Sequence, residues 1–396
     1  MVLSSDNTAP PSAIYLRRLQ AERSRNIAGL RDLARKRLPR GIFDFIDGGA
    51  EDEVTLEDNS AAFRRHRLLP RVLVDVSKTD LRSRMLGKET ALPFGIGPTG
   101  GAGFVWPRGD IALARVAERN DVPFTLSTTS SVSIEHLRER TDGRLWFQSY
   151  IFKQRDFTDR LIARAKAAEY EALVITVDLP VGGNRERDYR NDFSVPFRYT
   201  PRNVVDCALR PEWLYTIFRY GFPSFGNLTD FNPAAGSLNT ASTVGRNYDP
   251  SFAWEDLDRI RQIWPGKLIV KGVVHPADAE RVVQMGADAI VVSNHGGRQL
   301  DTGPATLDAL PAVKSAVGDR IQVFFDGGIR RGSDIMKALA LGADAVLLGR
   351  ATLYGLAGAG EHGVDRAITI LKQELTRTMQ LCGVNRIDEI NRDYLM

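Results

Sequence analysis

From about residue 92 onward the chain alternates short apolar runs with longer stretches of mixed polarity. The apolar runs fall at 92–97, 123–126, 145–150, 172–177, 267–270, 287–292, 321–325 and 343–348. In the run 289–292, Ala-Ile-Val-Val, the hydrophobic residues are continuous rather than alternating, the pattern of a strand buried on both faces of a parallel sheet. Most of the runs are separated by segments with helical spacing of apolar residues, at 110–119, 158–168, 276–284, 307–317 and 333–341. Strands that alternate with helices predict parallel pairing through right-handed crossovers. Eight such units in roughly 270 residues predict an α/β fold, a TIM (β/α)8 barrel. A doubly wound open sheet is the alternative. It places its glycine fingerprint after the first strand, and no GxGxxG follows one here.

Two segments stand outside the repeat. Residues 26–91 carry a predicted helix at 28–38 and the run 43–52, expected to form an N-terminal helical cap on the barrel. Residues 179–250 form a long insertion after the fourth strand, far beyond an ordinary connection. Its part 196–232 is roughly a quarter aromatic, with Phe197, Tyr199, Trp213, Tyr215, Phe218, Tyr220, Phe222, Phe225 and Phe231, and Arg202, Arg210 and Arg219 among them. That composition suits an active-site lid, an interfacial membrane segment or a packing surface. The first 25 residues are polar and arginine-containing and are expected to be a flexible arm, leaving 26–396 as one domain.

Bulk composition narrows the classes. At 396 residues, 43% hydrophobic and 26% charged, the chain reads as a globular protein with a large core. A net charge of +4 with the signs interspersed gives no nucleic-acid signature, but suits an acidic substrate or an anionic membrane surface. Cys207 and Cys382 match no metal spacing and no disulfide framework, so no metal is expected and a cytoplasmic location is the default. No stretch of about 18 apolar residues predicts a spanning helix.

In a barrel, function gathers at the carboxyl ends of the strands. Here those ends read Pro98-Thr99-Gly100, Ser127-Thr128, Gln148 with Tyr150, Thr176 with Asp178, Lys271, Ser293 with His295 and Arg298, Asp326-Gly327-Gly328 with Arg330, and Gly349-Arg350. One polar strand end is commonplace; eight converging on one mouth are a site. The last two loops offer glycine backbone and arginines where barrels commonly hold a phosphate. His295 is a candidate base, with Asp178 able to orient its ring. Arg298 and Arg185 suit a carboxylate clamp. Lys271 closes the apolar run 268–270 and needs an anionic partner. Ser127, Gln148 and Thr176 suit the polar edges of a heterocycle. Together these groups describe a flavin mononucleotide site facing a small acid.

Segments 293–301 and 325–331 resemble the signatures of the FMN-dependent α-hydroxy-acid dehydrogenase/oxidase family, and 145–150, 174–178 and 267–272 match it too. The similarity runs from about Leu38 to Tyr354. The resemblance implies a (β/α)8 barrel, bound FMN, and oxidation of an L-2-hydroxy acid to the 2-oxo acid. It implies that His295 is the base, Asp178 its partner, Arg298 and Arg185 the carboxylate clamp, and Tyr150 a hydrogen-bonding group for the substrate. Lys271 then lies beside the flavin ring, where a cation stabilises the reduced anion. By the same resemblance Pro98, Thr99, Gly100, Ser127, Gln148, Thr176 and Ser293 contact the flavin. Asp326, Gly328, Arg330, Gly349 and Arg350 hold its ribityl phosphate.

One position departs from the family. Phe45 stands where a tyrosine usually reaches the substrate carboxylate. Thr129, where oxidases of small acids often carry a bulky residue, and Gly100 both suggest room for an aryl group. Segments 97–100 and 185–188, with the insertion, are most similar to the branch that oxidises (S)-mandelate; quinone-linked enzymes acting on L-lactate are the near alternative. In both, the insertion accompanies membrane association and a quinone-type acceptor. The expectation is therefore a homotetrameric dehydrogenase, peripheral on the inner face of the cell membrane, with a soluble oxidase making hydrogen peroxide from O2 as the alternative. A flavin-free isomerase or lyase acting on a phosphorylated substrate would share the phosphate loops. A catalytically inactive binding protein is disfavoured by the joint presence of His295, Asp178, Arg298, Arg185 and Lys271. His66, His136, Met396 and the arginine-rich 17–40 stretch read as surface or packing residues.

Overall fold

The structure, a computed structural model, describes residues 11–192, 200–229, 231 and 247–396. Residues 1–10 of the expected arm, and 196–199, 230 and 232 of the aromatic stretch, with Phe197 and Tyr199, lie outside these. Four helices come first: α1 (Pro11–Arg23), α2 (Ile27–Arg37), α3 (Arg40–Asp47) and α4 (Val54–Arg65). Their ends are specified locally and at a distance. Asn26 caps α2, its side chain accepting from Gly29 N at 2.9 Å. The cap of α4 comes from far along the chain, where Asp301 Oδ1 accepts from Thr55 N at 2.8 Å.

A hairpin follows, β1 (Ser83–Met85) and β2 (Lys88–Thr90). Leu86 and Gly87 both take positive φ, as a two-residue type I′ turn requires. Then the repeat begins with β3 (Phe94–Ile96), α5 (Ala102–Val105), α6 (Gly109–Arg119), β4 (Phe124–Ser127), α7 (Ile134–Arg138), β5 (Leu145–Ser149), α8 (Arg155–Ala167) and β6 (Ala172–Thr176). The insertion contributes α9 (Glu186–Arg190), α10 (Pro201–Ala208) and α11 (Pro211–Tyr220). The repeat resumes with α12 (Trp254–Ile263), β7 (Lys267–Lys271), α13 (Pro276–Gln284), β8 (Ala289–Val292), α14 (Thr306–Val317), β9 (Gln322–Phe325), α15 (Gly332–Ala340), β10 (Ala345–Leu348) and α16 (Arg350–Cys382). The last is interrupted at Ala359–Gly360, where φ and ψ leave the helical region.

The strands close a parallel barrel in the order β10-β3-β4-β5-β6-β7-β8-β9, the predicted (β/α)8 architecture. Alternation along each strand splits the apolar residues into two cores. Trp146, Val174, Ile269, Val291, Phe324 and Leu347 fill the barrel, and Trp146 stacks on Phe324 with centroids 5.7 Å apart. Their neighbours Phe147, Leu173, Val270, Ile290, Phe325 and Val346 face the helices. The β1–β2 hairpin, which no sequence pattern flagged, adds Met85 and Leu86 to the interior cluster.

Two expectations need revision. Residues 11–23 are helical, not part of a flexible arm. Ala21 is buried, Arg17 pairs with Glu212 at 2.7 Å, and α1 lies along α16. Long arginine side chains carry their charge to a partner while the backbone packs, so a polar composition did not prevent order. The aromatic stretch also divides. Trp213 and Phe231 are buried, and Phe222 and Phe225 pack edge-on against Phe104. Val204, Val205, Leu209, Leu214, Tyr215 and Phe218 face outward, Phe218 with 90% of its surface exposed.

Candidate active site

The carboxyl ends of the strands open into a cavity of about 580 Å³, within the range of small-ligand and cofactor sites. Its two ends differ in chemistry. One is aromatic, walled by Phe45, Phe104, Tyr150, Phe225 and Tyr248. The other is built from 326–330 and from Gly349 and Arg350. Lys271, His295, Arg185 and Arg298 also line it, with Thr99, Gly100 and Thr129 on the wall between.

His295 follows β8 with φ +58°, a left-handed conformation unusual for a non-glycine residue. Its Nδ1 is 3.0 Å from Asp178 Oδ1, and its Nε2 is 3.4 Å from the Tyr150 hydroxyl. Burial holds the imidazole below its usual pKa against the opposing pull of Asp178, and the charges of Lys271 and Arg298 act with burial. Burial pushes the Asp178 carboxyl up, but His295 and Lys271 outweigh it and leave it below the ordinary carboxylate value. The second oxygen of Asp178 is buried without a partner.

Lys271 Nζ donates to Ser293 Oγ at 2.8 Å and lies 3.3 Å from Asp326 Oδ2. Burial alone would lower its pKa, yet Asp326 and Asp178 raise it, so the ammonium stays charged at the floor of the cavity. Ser127, Gln148 and Thr176 form one buried row: Ser127 Oγ donates to Gln148 Oε1 at 3.1 Å, and Gln148 Nε2 to Thr176 Oγ1 at 3.0 Å. These three, with Ser293 and Asp178, stand just behind the wall rather than on it.

Arg298 donates to the carbonyls of Phe45 at 2.8 Å and Gly48 at 3.0 Å. Removal from water, reinforced by Arg185 and Arg350, lowers its pKa to about 9. Arg185 pairs with Asp188 at 3.0 Å. The two guanidiniums lie 5.4 Å and 5.3 Å from the Phe45 ring centroid. The phenyl ring of Phe45 therefore packs against both arginines.

At the other end Gly327 and Gly328 have φ of +115° and +79°. A Cβ on Gly328 would lie 2.2 Å from the Asn59 carbonyl oxygen, so only glycine lets α4 approach this loop. Arg350 donates to the carbonyls of Ile46, Gly48 and Gly296, and Arg330 to its neighbour Ile329 at 2.8 Å. Gly100 and Thr129 form a single feature: a Cβ on Gly100 would lie 2.2 Å from the Thr129 hydroxyl. The space left by the one is taken by the other.

These residues fit an FMN-sized anion. The Thr99 hydroxyl is buried on the wall without a partner. Five cations, Arg185, Lys271, Arg298, Arg330 and Arg350, face the cavity. The sequence pattern of FMN-dependent dehydrogenases matches residues 34–396. The chain belongs to the FMN-dependent dehydrogenase family.

Its relatives within the family are close. It is 44% identical over 370 residues to the (S)-mandelate dehydrogenase of Pseudomonas putida, covering 93% of each chain. It is 41% identical over 367 residues to the L-lactate dehydrogenase of Yersinia pestis (strain Pestoides F), covering 92% of this chain and 96% of that one. The crystal structure of the monotopic membrane protein (S)-mandelate dehydrogenase superposes with a TM-score of 0.91 at 44% identity, over 94% of this chain and 99% of that one.

Several residues at this FMN-dependent site escaped the sequence reading. Phe104 and Tyr248 line the aromatic end, and Tyr248 packs on Tyr150 at 5.2 Å. Asn59 exchanges two amide hydrogen bonds with Asn294. No motif marks them, since each reaches the mouth from a helix or loop outside the strand ends. His66 and His136 lie away from the cavity lining, as expected.

Proposed function

We propose that this protein oxidises (S)-mandelate or a related aryl 2-hydroxy acid to the 2-oxo acid, passing the electrons to a quinone. The supporting observation is one cavity that joins a histidine–aspartate pair, two arginines and an aromatic wall to a glycine-and-arginine phosphate end. Pro98, Thr99, Gly100, Ser127, Gln148, Thr176, Lys271 and Ser293 would hold the flavin ring, and Asp326, Gly328, Arg330, Gly349 and Arg350 its ribityl phosphate. Bound FMN supplies a two-electron acceptor for the substrate carbon.

The chain's own residues do the rest. Arg298 and Arg185 clamp the carboxylate, and Phe45, Phe104 and Phe225 receive the aryl ring. This seats the hydroxyl carbon before His295 Nε2. His295, neutral because burial depresses its pKa, takes the α-proton, or the hydroxyl proton if the α-hydrogen leaves with its electron pair. Asp178 fixes the tautomer through Nδ1 and stabilises the imidazolium. Tyr150 donates to the substrate oxygen. Lys271 keeps a positive charge where reduction adds a negative one.

The outward face of α10 and α11 supports peripheral membrane attachment on the cytoplasmic side. Val204, Val205, Leu209 and Phe218 are exposed there, with Arg202 and Arg219 nearby to meet anionic lipid. No helix among the described residues is long and apolar enough to cross a membrane. Assembly as a homotetramer belongs to the same reading.

The test is the visible spectrum of the purified protein, taken anaerobically before and after adding (S)-mandelate. Bleaching of a flavin spectrum is the expected result. A flavin spectrum that stays oxidised overturns the mandelate reading and turns attention to L-lactate. Rapid recovery of the oxidised spectrum on admitting air assigns O2 rather than quinone as acceptor.

A further inference from the structure

Arg185 does not reach the cavity from a strand. It rides on the segment 182–191, which leaves β6 and crosses over the N-terminal cap. This segment touches its surroundings at a few points. Gly183 N donates to Gln299 Oε1 at 2.7 Å, Glu51 N to the Asn184 carbonyl at 2.8 Å, and Asn191 Nδ2 to Asp44 Oδ2 at 2.7 Å. The strongest attachment is ionic. Arg187, two residues beyond Arg185, turns to the cap and meets three carboxylates. Its guanidinium bonds to Glu53, lies 3.3 Å from Asp47 Oδ2 and 3.8 Å from Asp44 Oδ1.

These are not exposed surface pairs of negligible worth. The side chains of Asp44, Asp47 and Glu53 are 14%, 6% and 12% exposed. Carboxylates so far from water need compensation. Asp47 has a second cation in Arg31 at 2.6 Å, and Asp44 has Arg40 at 3.5 Å. Among the described residues, Glu53 has Arg187 alone as an ion-pair partner. Packing supports the charge: a Cβ on Gly48 would come within 3.2 Å of Arg187 Cδ.

The same stretch of cap, 45–48, supplies the carbonyls of Phe45 and Gly48 that hold Arg298. Both clamp arginines are thus referred to one piece of backbone, Arg298 directly and Arg185 through Arg187. We propose that Arg187 is a positioning residue of the acid-binding site, fastening the arginine-bearing loop to the N-terminal cap so that Arg185 and Arg298 face the same carboxylate. This inference rests on the reading of Arg185 and Arg298 as the carboxylate clamp. Arg187 acts through Arg185, so it governs binding of the acid group and leaves His295 and Asp178 undisturbed.

The test compares an acid with its neutral counterpart, (S)-mandelate and its methyl ester, in steady-state assays of the FMN-loaded enzyme with a soluble dye as acceptor. In Arg187→Met, KM for the acid is expected to rise about tenfold with kcat within about twofold of wild type, while kcat/KM for the ester stays within about twofold. The preference for acid over ester therefore falls about tenfold. Arg187→Lys, which keeps the charge, recovers part of it. Glu53→Gln removes the partner instead and produces the same fall if Arg187→Met does not fold. The double variant should lose no more preference than either single one. An unchanged acid preference, or loss of acid and ester activity in proportion, overturns the proposal. Wild-type enzyme that does not favour the acid overturns the clamp reading itself, a separate and recognisable failure.

Discussion

His295 carries its ring on a left-handed backbone, between a carboxylate that raises its pKa and a burial that lowers it further. The net depression keeps the base neutral. The acid limb of kcat/KM is therefore expected below the ordinary imidazole pKa of about 6.5, with activity rising as pH rises through it. Asp178→Asn preserves shape but removes the opposing charge. It should cut kcat by about a hundredfold or more and move that limb to still lower pH, which a pH–rate profile of the two proteins would reveal. Phe45 offers the reverse experiment. Its ring already contacts both clamp arginines, so Phe45→Tyr adds a hydroxyl without displacing them. One hydrogen bond to a charged group, roughly 1.5–3 kcal/mol, should lower KM on the order of tenfold or more. An unchanged or higher KM would show that a hydroxyl at this position adds nothing to binding of the acid.

At the scale of elements, α4 joins two functional loops that are distant in sequence. Asn59 bonds Asn294 in the loop after β8, and its carbonyl abuts Gly328 in the loop after β9. Gly328→Ala places a Cβ 2.2 Å from that carbonyl, at a φ of +79°. The loop or the helix must move. A loss of roughly 2 kcal/mol or more is expected, read as a lower Tm together with reduced FMN retention. A variant with wild-type Tm and flavin content would show that the approach of α4 is not needed. The strands and helices of the barrel were legible from polarity alone: all eight predicted runs overlap observed strands, with ends shifted by two residues or fewer. The β1–β2 hairpin was not, because three-residue strands carry too little periodicity to stand out. Helix α1 was misjudged because its order comes from contacts with α16 and Glu212 rather than from its own composition.

For the whole molecule, the insertion makes both an inner and an outer surface. Trp213 Nε1 donates to the Phe104 carbonyl at 2.9 Å, tying α11 to the aromatic end of the cavity. The opposite side of α10 and α11 leaves Leu209 and Phe218 uncovered. Leu209→Asp combined with Phe218→Asp is expected to abolish co-sedimentation with anionic vesicles while kcat with a soluble dye stays unchanged. Retained vesicle binding would place membrane attachment elsewhere, and a lost kcat would make this face part of the fold rather than an anchor.

Sequence by itself determined the barrel, because the periodicity of apolar residues dictates which faces are buried. It also determined which side chains stand at the mouth, because His295, Lys271, Arg298 and the glycine pair at 327–328 follow directly from apolar strands whose direction is fixed by the parallel repeat. Tertiary structure decided everything that reaches the mouth from elsewhere. The two arginines packed against Phe45, Asn59 between two loops, Tyr248 against Tyr150, and Arg187 among three carboxylates each join residues far apart in the chain. Such contacts depend on how the cap and the insertion settle on the barrel, and no local pattern encodes that.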